Sequence, residues 1–264
     1  MIYSAQEVID LDKDLNGKEK KPIIVVWFSC GAASAVAAYL TKLKYGETHE
    51  IIIANTYIKE EDEDNGRFLK DVEKWLGQEI INRGNPAYPN SSVVGVWEKV
   101  KYMSNRFGAP CTSKLKKEAR YIFEKEIDIA FHVLGYTSDE KHRHDDFVKF
   151  ERANLLPVLI DAGFDKEACF EVVENAGIKI PESYIQGYPN ANCKGCPKAS
   201  SPTYWNHVRV TDPEVFKERA EISRRLGARL VRVKGKRIFL DELPEDAKGY
   251  KMKSYSCSLF CNSN

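Results

Sequence analysis

The hydrophobic pattern changes character along the chain, and each change marks an element. Residues 1–20 are largely polar and end in the charged run Lys18, Glu19, Lys20 and Lys21, which predicts a short leading helix and a linker. Ile23, Ile24, Val25, Val26, Trp27 and Phe28 then make an unbroken apolar run, the signature of a strand covered on both faces. Good helix formers follow at Ala35, Val36, Ala37, Ala38, Tyr39 and Leu40. The same pairing recurs with a buried-type strand over residues 50–55 and helical spacing of Phe68, Val72 and Trp75 within residues 67–76. A third strand is expected over residues 79–81. A fourth is expected over residues 127–134, after a charged helical segment over 113–125.

Strands alternating with helices imply right-handed crossovers, so the predicted fold class is α/β with a doubly wound, mostly parallel, Rossmann-like sheet. In that architecture ligands sit where strand C-terminal ends meet helix N-termini. Beyond residue 155 the texture shifts to a helix over 164–176, a turn-rich stretch over 181–202, a helix over 212–226 and a hairpin. The hairpin pairs residues 229–233 with 237–240 around Lys234, Gly235 and Lys236. The expected organisation is a nucleotide-binding α/β domain over 1–160 and a small cysteine-bearing C-terminal region over 161–264 that completes the site.

Composition narrows the function classes. With 43% hydrophobic and 30% charged residues, the chain has enough apolar material for a globular core. No apolar stretch approaches membrane-spanning length and the first residues lack a signal-peptide core, so a cytoplasmic protein with no membrane partner is expected. Lysine plus arginine (40) balances aspartate plus glutamate (39), which removes the global electrostatic case for a nucleic-acid partner and leaves local clusters. Seven cysteines in such a chain point to metal or redox chemistry.

The first strand delivers Ser29, Cys30, Gly31, Ala32, Ala33 and Ser34 into a helix N-terminus. Unpaired backbone N–H groups and the helix dipole make that junction an anion site, with the Ser29 and Ser34 hydroxyls as added donors. It carries neither three dinucleotide-type glycines nor a Gly-Lys-Ser/Thr loop. Among the cysteines, Cys193, Lys194, Gly195 and Cys196 form a C-x-x-C in a turn-rich segment, suited either to a metal or to a redox pair. Cys257 and Cys261 add two thiols, and Cys111 lies in the run Pro110, Cys111, Thr112, Ser113, Lys114, Leu115, Lys116. Cys30 and Cys169 read as loop and core residues. His132, His142, His144 and His207 suggest no hydrolase triad, and Asp139, Glu140, Asp145 and Asp146 form an acidic loop able to meet a metal with ATP.

In order and spacing these residues resemble the adenine-nucleotide α-hydrolase (PP-loop) group, which includes phosphoadenosine phosphosulfate (PAPS) reductases and the ATP pyrophosphatases of tRNA and DNA sulfur modification. The loop at 29–34 is similar to the family's phosphate loop, with Ala33 in place of the pyrophosphatase acid. Asn55 and Thr56 resemble the Asp-Thr strand end, again without the acid, and Glu60 and Glu61 follow where the family often has a Glu-Thr pair. Gly135 opens a segment like the family's Gly-x-Arg, where Thr137 replaces the arginine and Lys141 and Arg143 are the fallback cations. Tyr184, Gly187, Cys193, Cys196 and Pro197 resemble its Tyr-x-x-Gly and C-x-x-C-Pro stretch.

The resemblance implies nucleotide binding by residues 29–34, Asn55, Thr56, Gly135, Lys141 and Arg143. It also implies an iron–sulfur cluster, 4Fe-4S in type, on Cys111, Cys193, Cys196 and Cys261, with zinc as the alternative. In the reductase reading, PAPS or its adenosine phosphosulfate (APS) analogue is the substrate, Cys257 is the nucleophile, with Lys251 and Lys253 nearby, and a thioredoxin-like protein is the reductant. In the alternative, ATP with magnesium activates tRNA or DNA for sulfur transfer, with basic residues 224–236 on phosphates and Tyr204 and Trp205 stacked on bases. A third reading is a non-catalytic protein whose zinc joins Cys193, Cys196, Cys257 and Cys261. A homodimer is compatible with each.

Overall fold

The computed structural model describes residues 21–105 and 108–252, so the leading helix expected over 1–20 and the thiols of Cys257 and Cys261 lie outside the described residues. β1 (Ile23–Phe28) is buried at all six positions. Ile24, Val26 and Phe28 join an apolar cluster with Val36 and Phe68, while Ile23, Val25 and Trp27 join a second one with Phe123 and Phe147. Two covered faces are what an unbroken apolar strand requires.

The chain continues through α1 (Ala32–Tyr45), β2 (Glu50–Asn55), α2 (Asp64–Leu76), β3 (Ile80–Asn82) and α3 (Val93–Val100). A π-helical segment, Thr112–Lys117, runs into α4 (Glu118–Phe123), followed by β4 (Ile129–Val133), a 3-10 turn (Ser138–Glu140), α5 (Lys141–Phe150) and β5 (Leu155–Leu156). Then come α6 (Val158–Asp161), α7 (Lys166–Asn175), α8 (Glu182–Ile185), α9 (Pro202–Thr211), α10 (Pro213–Arg225) and the pair β6 (Val231–Val233) and β7 (Lys236–Ile238).

Five parallel strands stand in the order β3-β2-β1-β4-β5. The chain leaves β1 on one side and returns on the other at β4, which creates a crevice beyond the C-terminal ends of those two strands. β6 and β7 pair antiparallel around Lys234 and Gly235, both at positive φ (46° and 81°), as a tight two-residue turn demands.

A further core cluster gathers Trp97 from α3, Cys111 and Leu115 from around the π-helical segment, and Tyr188, Cys193, Cys196, Tyr204 and Trp205 from the later chain. It therefore draws on both halves of the sequence. Tyr204 and Trp205, expected to stack on bases, are instead 3% and 0% exposed. The Tyr204 hydroxyl accepts the Cys196 N–H at 2.9 Å, and the Trp205 indole donates to the Ala199 carbonyl at 2.9 Å. Their polar atoms are spent on the fold, so the stacking role is withdrawn.

Candidate functional site

At the crevice between β1 and β4 the structure holds a cavity of about 220 Å³. Its walls include Ser29, Gly31, Ala33 and Ser34 from the loop after β1, Asn55 and Thr56 from the end of β2, and Gly135 and Arg143 from the segment after β4. Eight of the residues expected to bind nucleotide thus meet in one place.

The loop is held by its own polar groups. Cys30 adopts a left-handed backbone (φ 56°), uncommon for a residue with a Cβ, which turns the chain from strand to helix. The Ser34 hydroxyl accepts the Ser29 N–H at 3.1 Å and donates to the Gly31 carbonyl at 2.8 Å. It is a clamp across the turn. Asn55 donates to the Phe28 carbonyl at 2.9 Å and to the Cys30 sulfur at 3.5 Å, tying the end of β2 to the end of β1. Burial and the neighbouring Glu61 carboxyl push the Cys30 thiol up, so it stays protonated.

Gly135 explains how the β4 side closes on the loop. A Cβ there would lie 2.8 Å from the Ser34 nitrogen and 3.0 Å from the Ala33 carbonyl carbon, so only glycine permits this approach to the start of α1. Thr56 is 7% exposed, and its hydroxyl, in the cavity wall, has no hydrogen-bond partner. A buried hydroxyl without a partner costs stability, and a bound polar ligand would relieve that cost.

Nothing in the sequence assigned a cavity role to Lys166 or paired Glu61 with Lys116. Lys116 and Glu61 form an ion pair at 3.1 Å, each side chain 8% exposed. Burial pushes the Glu61 carboxyl up, against the pull of Lys116. Lys166 also faces the cavity; its ammonium donates to the Pro189 carbonyl, lies 4.7 Å from the centre of the Tyr184 ring, and burial pushes its pKa down. Arg143 pairs with Glu140 and stacks over Tyr136, 4.7 Å from the ring centre. Thr137, where the family resemblance calls for arginine, donates to Asp139 at 2.6 Å. Lys141, by contrast, is exposed on α5 and paired with Asp145 at 2.6 Å, away from the cavity wall.

The thiols fall into two groups. Cys169 is a fully buried core residue of α7, its pKa pushed up to about 12 by burial. Cys111, Cys193 and Cys196, with eighty-one residues lying between the first two, are buried in one apolar cluster. Ser104 bonds the Pro197 carbonyl at 2.8 Å, which fastens the segment before Cys111 to the end of the C-x-x-C turn. Lys194, inside that turn, bridges Asp62 at 2.8 Å and Asp212 at 2.7 Å. Soft, buried thiols suit iron or zinc in donor type. Among the described residues, however, no group of three or more His, Cys, Asp or Glu side chains converges closely enough to hold a metal ion. No helix among them is long and apolar enough to cross a membrane.

No protein-family model and no curated protein matches the chain. Among solved structures it is similar to a phosphoadenylyl-sulfate (PAPS) reductase from Candida auris in a phosphate complex, at 10% identity and a TM-score of 0.44, over 73% of this chain and 97% of that one. It is also similar to the U34-tRNA thiolase NcsA from Methanococcus maripaludis with its 4Fe-4S cluster, at 13% identity and a TM-score of 0.46, over 97% of this chain and 88% of that one. At such identities neither likeness assigns a substrate, and the chain itself is an α/β protein with a crevice of about 220 Å³ at the strand-order reversal of its five-stranded parallel sheet.

Proposed function

We propose that this protein is an adenine-nucleotide enzyme of sulfur chemistry, and that its substrate is a sulfonucleotide, PAPS or APS. The observation that carries the choice is the neutrality of the loop. Ala33 has no acid, and the Asn55 amide is committed to Phe28 and Cys30, so the two positions that would hold magnesium against a triphosphate carry no carboxylate. A substrate whose reactive bond is already activated needs no such pair.

In this reading the loop N–H groups and Thr56 hold the phosphate, and Lys116, Arg143 and Lys166 supply positive charge around it. The Cys257 thiolate then attacks the sulfate sulfur. An S–S bond forms, the bond from sulfur to the phosphate oxygen breaks, and the adenosine phosphate leaves with that electron pair. A dithiol reductant of the thioredoxin class attacks the cysteine sulfur, releases sulfite and is oxidised to its disulfide. Cys111, Cys193 and Cys196, with Cys261, are the proposed ligands of an iron–sulfur centre or of zinc. Among the described residues the thiols do not by themselves form a metal-holding group.

A second reading, ATP-dependent sulfur transfer to tRNA or DNA, is favoured by one feature. Arg232, Lys234, Lys236 and Arg237 are exposed on the β6–β7 hairpin, and Arg232 stands directly opposite Arg237 across the ladder. Facing like charges cost stability and suit a phosphate backbone. The test incubates the protein with PAPS or APS plus reduced thioredoxin, and separately with ATP, magnesium and RNA or DNA. Sulfite release supports the reductase. Nucleic-acid-dependent pyrophosphate release with no sulfite overturns it in favour of the second reading, and a colourless, inactive protein holding stoichiometric zinc sinks both.

A further inference from the structure

Tyr184, from α8, reaches the cavity wall with its hydroxyl against the start of α1. A Cβ on Gly31 would sit 2.9 Å from that oxygen, so glycine at 31 leaves the space the phenol occupies. The hydroxyl lies among the backbone of Ala32, in the first turn of α1, and Ala191, just before the C-x-x-C turn. Burial pushes the phenol up, so the group is protonated throughout the neutral range. The ring is fixed by an edge contact with Phe170 at 5.0 Å and by the Lys166 ammonium above it.

A phenol oxygen has two acceptor sites and one hydrogen to give. Here the oxygen sits in the cavity wall against Gly31, and the protonated phenol has its O–H to offer a ligand. We propose that Tyr184 is a preorganised hydrogen-bond donor to an anionic oxygen of the bound nucleotide, completing the cradle that begins with the α1 N-terminus. The assignment rests on the nucleotide reading above. The second, independent pointer to a ligand in the same cavity is the buried, unpartnered Thr56 hydroxyl. Donation to a charged oxygen is worth more than a neutral hydrogen bond, about tenfold or more in affinity. Lys166, poised over the ring, adds charge without competing for the hydroxyl.

The test is calorimetric titration of wild type and Tyr184→Phe with ATP, AMP, adenosine 3′,5′-bisphosphate and adenosine. The phenylalanine keeps the ring and its contacts. The expected result is a loss of about tenfold or more for whichever phosphorylated nucleotides bind wild type, with adenosine affinity unchanged. Equal affinity for the phosphorylated ligands overturns the Tyr184 assignment and leaves the nucleotide reading standing. A parallel loss for adenosine also overturns it, since that would be a structural effect. Failure of wild type to bind any of the four overturns the nucleotide reading and the assignment together. A variant that loses its fold by circular dichroism counts against the assignment, because the hydroxyl would then serve the scaffold.

Discussion

Glu61 and Lys116 face each other at 3.1 Å in the cavity wall, one from the loop after β2 and the other from the π-helical segment after Cys111, both almost wholly out of water. Breaking a buried ion pair leaves a charge without compensation. Glu61→Gln or Lys116→Met alone is expected to destabilise the protein by about 3–5 kcal/mol, and the double variant by less than the sum of the two. Urea unfolding of the four proteins in this cycle checks it, and strict additivity would remove the pair as a stabilising unit.

Gly135→Ala places a methyl group against backbone atoms of Ala33 and Ser34, which cannot swing aside as a side chain would. The expected cost is about 1–3 kcal/mol of stability, together with a marked loss of nucleotide affinity as the β4 side lifts from the loop. Thermal unfolding and titration with the best-bound nucleotide read the two effects separately.

His132, in β4 beneath the cavity, accepts the Trp27 indole N–H at 3.2 Å, and burial pushes its pKa down to about 4. The unfolded chain takes up that proton near pH 6.5, before the folded protein does. Its contribution is therefore complete above pH 6.5 and is lost as pH falls toward 4, at up to about 1.4 kcal/mol per unit. His132→Gln, which keeps an acceptor for Trp27, is expected to flatten the decline between pH 6.5 and 4.5. Unfolding curves that fall equally steeply in both proteins would contradict this.

Lys101 ends α3 in the left-handed region at φ 62°, is exposed, and makes only a long contact (3.9 Å) to Glu98. A residue with a Cβ pays about 1–2 kcal/mol there, and glycine gives part of that back through its freer unfolded state. Lys101→Gly is expected to raise stability by about 0.5–1 kcal/mol with no effect on nucleotide binding. A lower melting temperature would refute it.

What the sequence disclosed follows the strength of the physical signal. β1 was legible because burial on two faces forces an unbroken apolar run, and the 29–34 loop because a strand entering a helix makes a recognisable junction. α3 was missed: Val93, Val94 and Val96 look strand-like, and the helix starts because Glu60 takes the Val93 N–H at 2.8 Å while Ser92 takes that of Gly95. α5 was missed because only Phe147 is buried among its charged residues, leaving no period to detect. Strand ends moved by one or two residues, with β3 at Ile80–Asn82 and β4 at Ile129–Val133. Tyr184, Glu61 and Lys116 stood in segments the family resemblance singled out, but their meeting in the cavity wall, like the approach of Lys166, depends on the fold and not on any local pattern.

The shared burial of Cys111 with Cys193 and Cys196 has a kinetic side. These thiols come together only after some eighty intervening residues, which include β4 and its flanking helices, have been gathered in, and closing so long a loop is entropically slow to begin. During synthesis Cys111 emerges well before its neighbours. Their common apolar shelter is thus a late acquisition of the maturing chain, and until it forms Cys111 meets the solvent's metals and oxidants apart from the Cys193 and Cys196 pair.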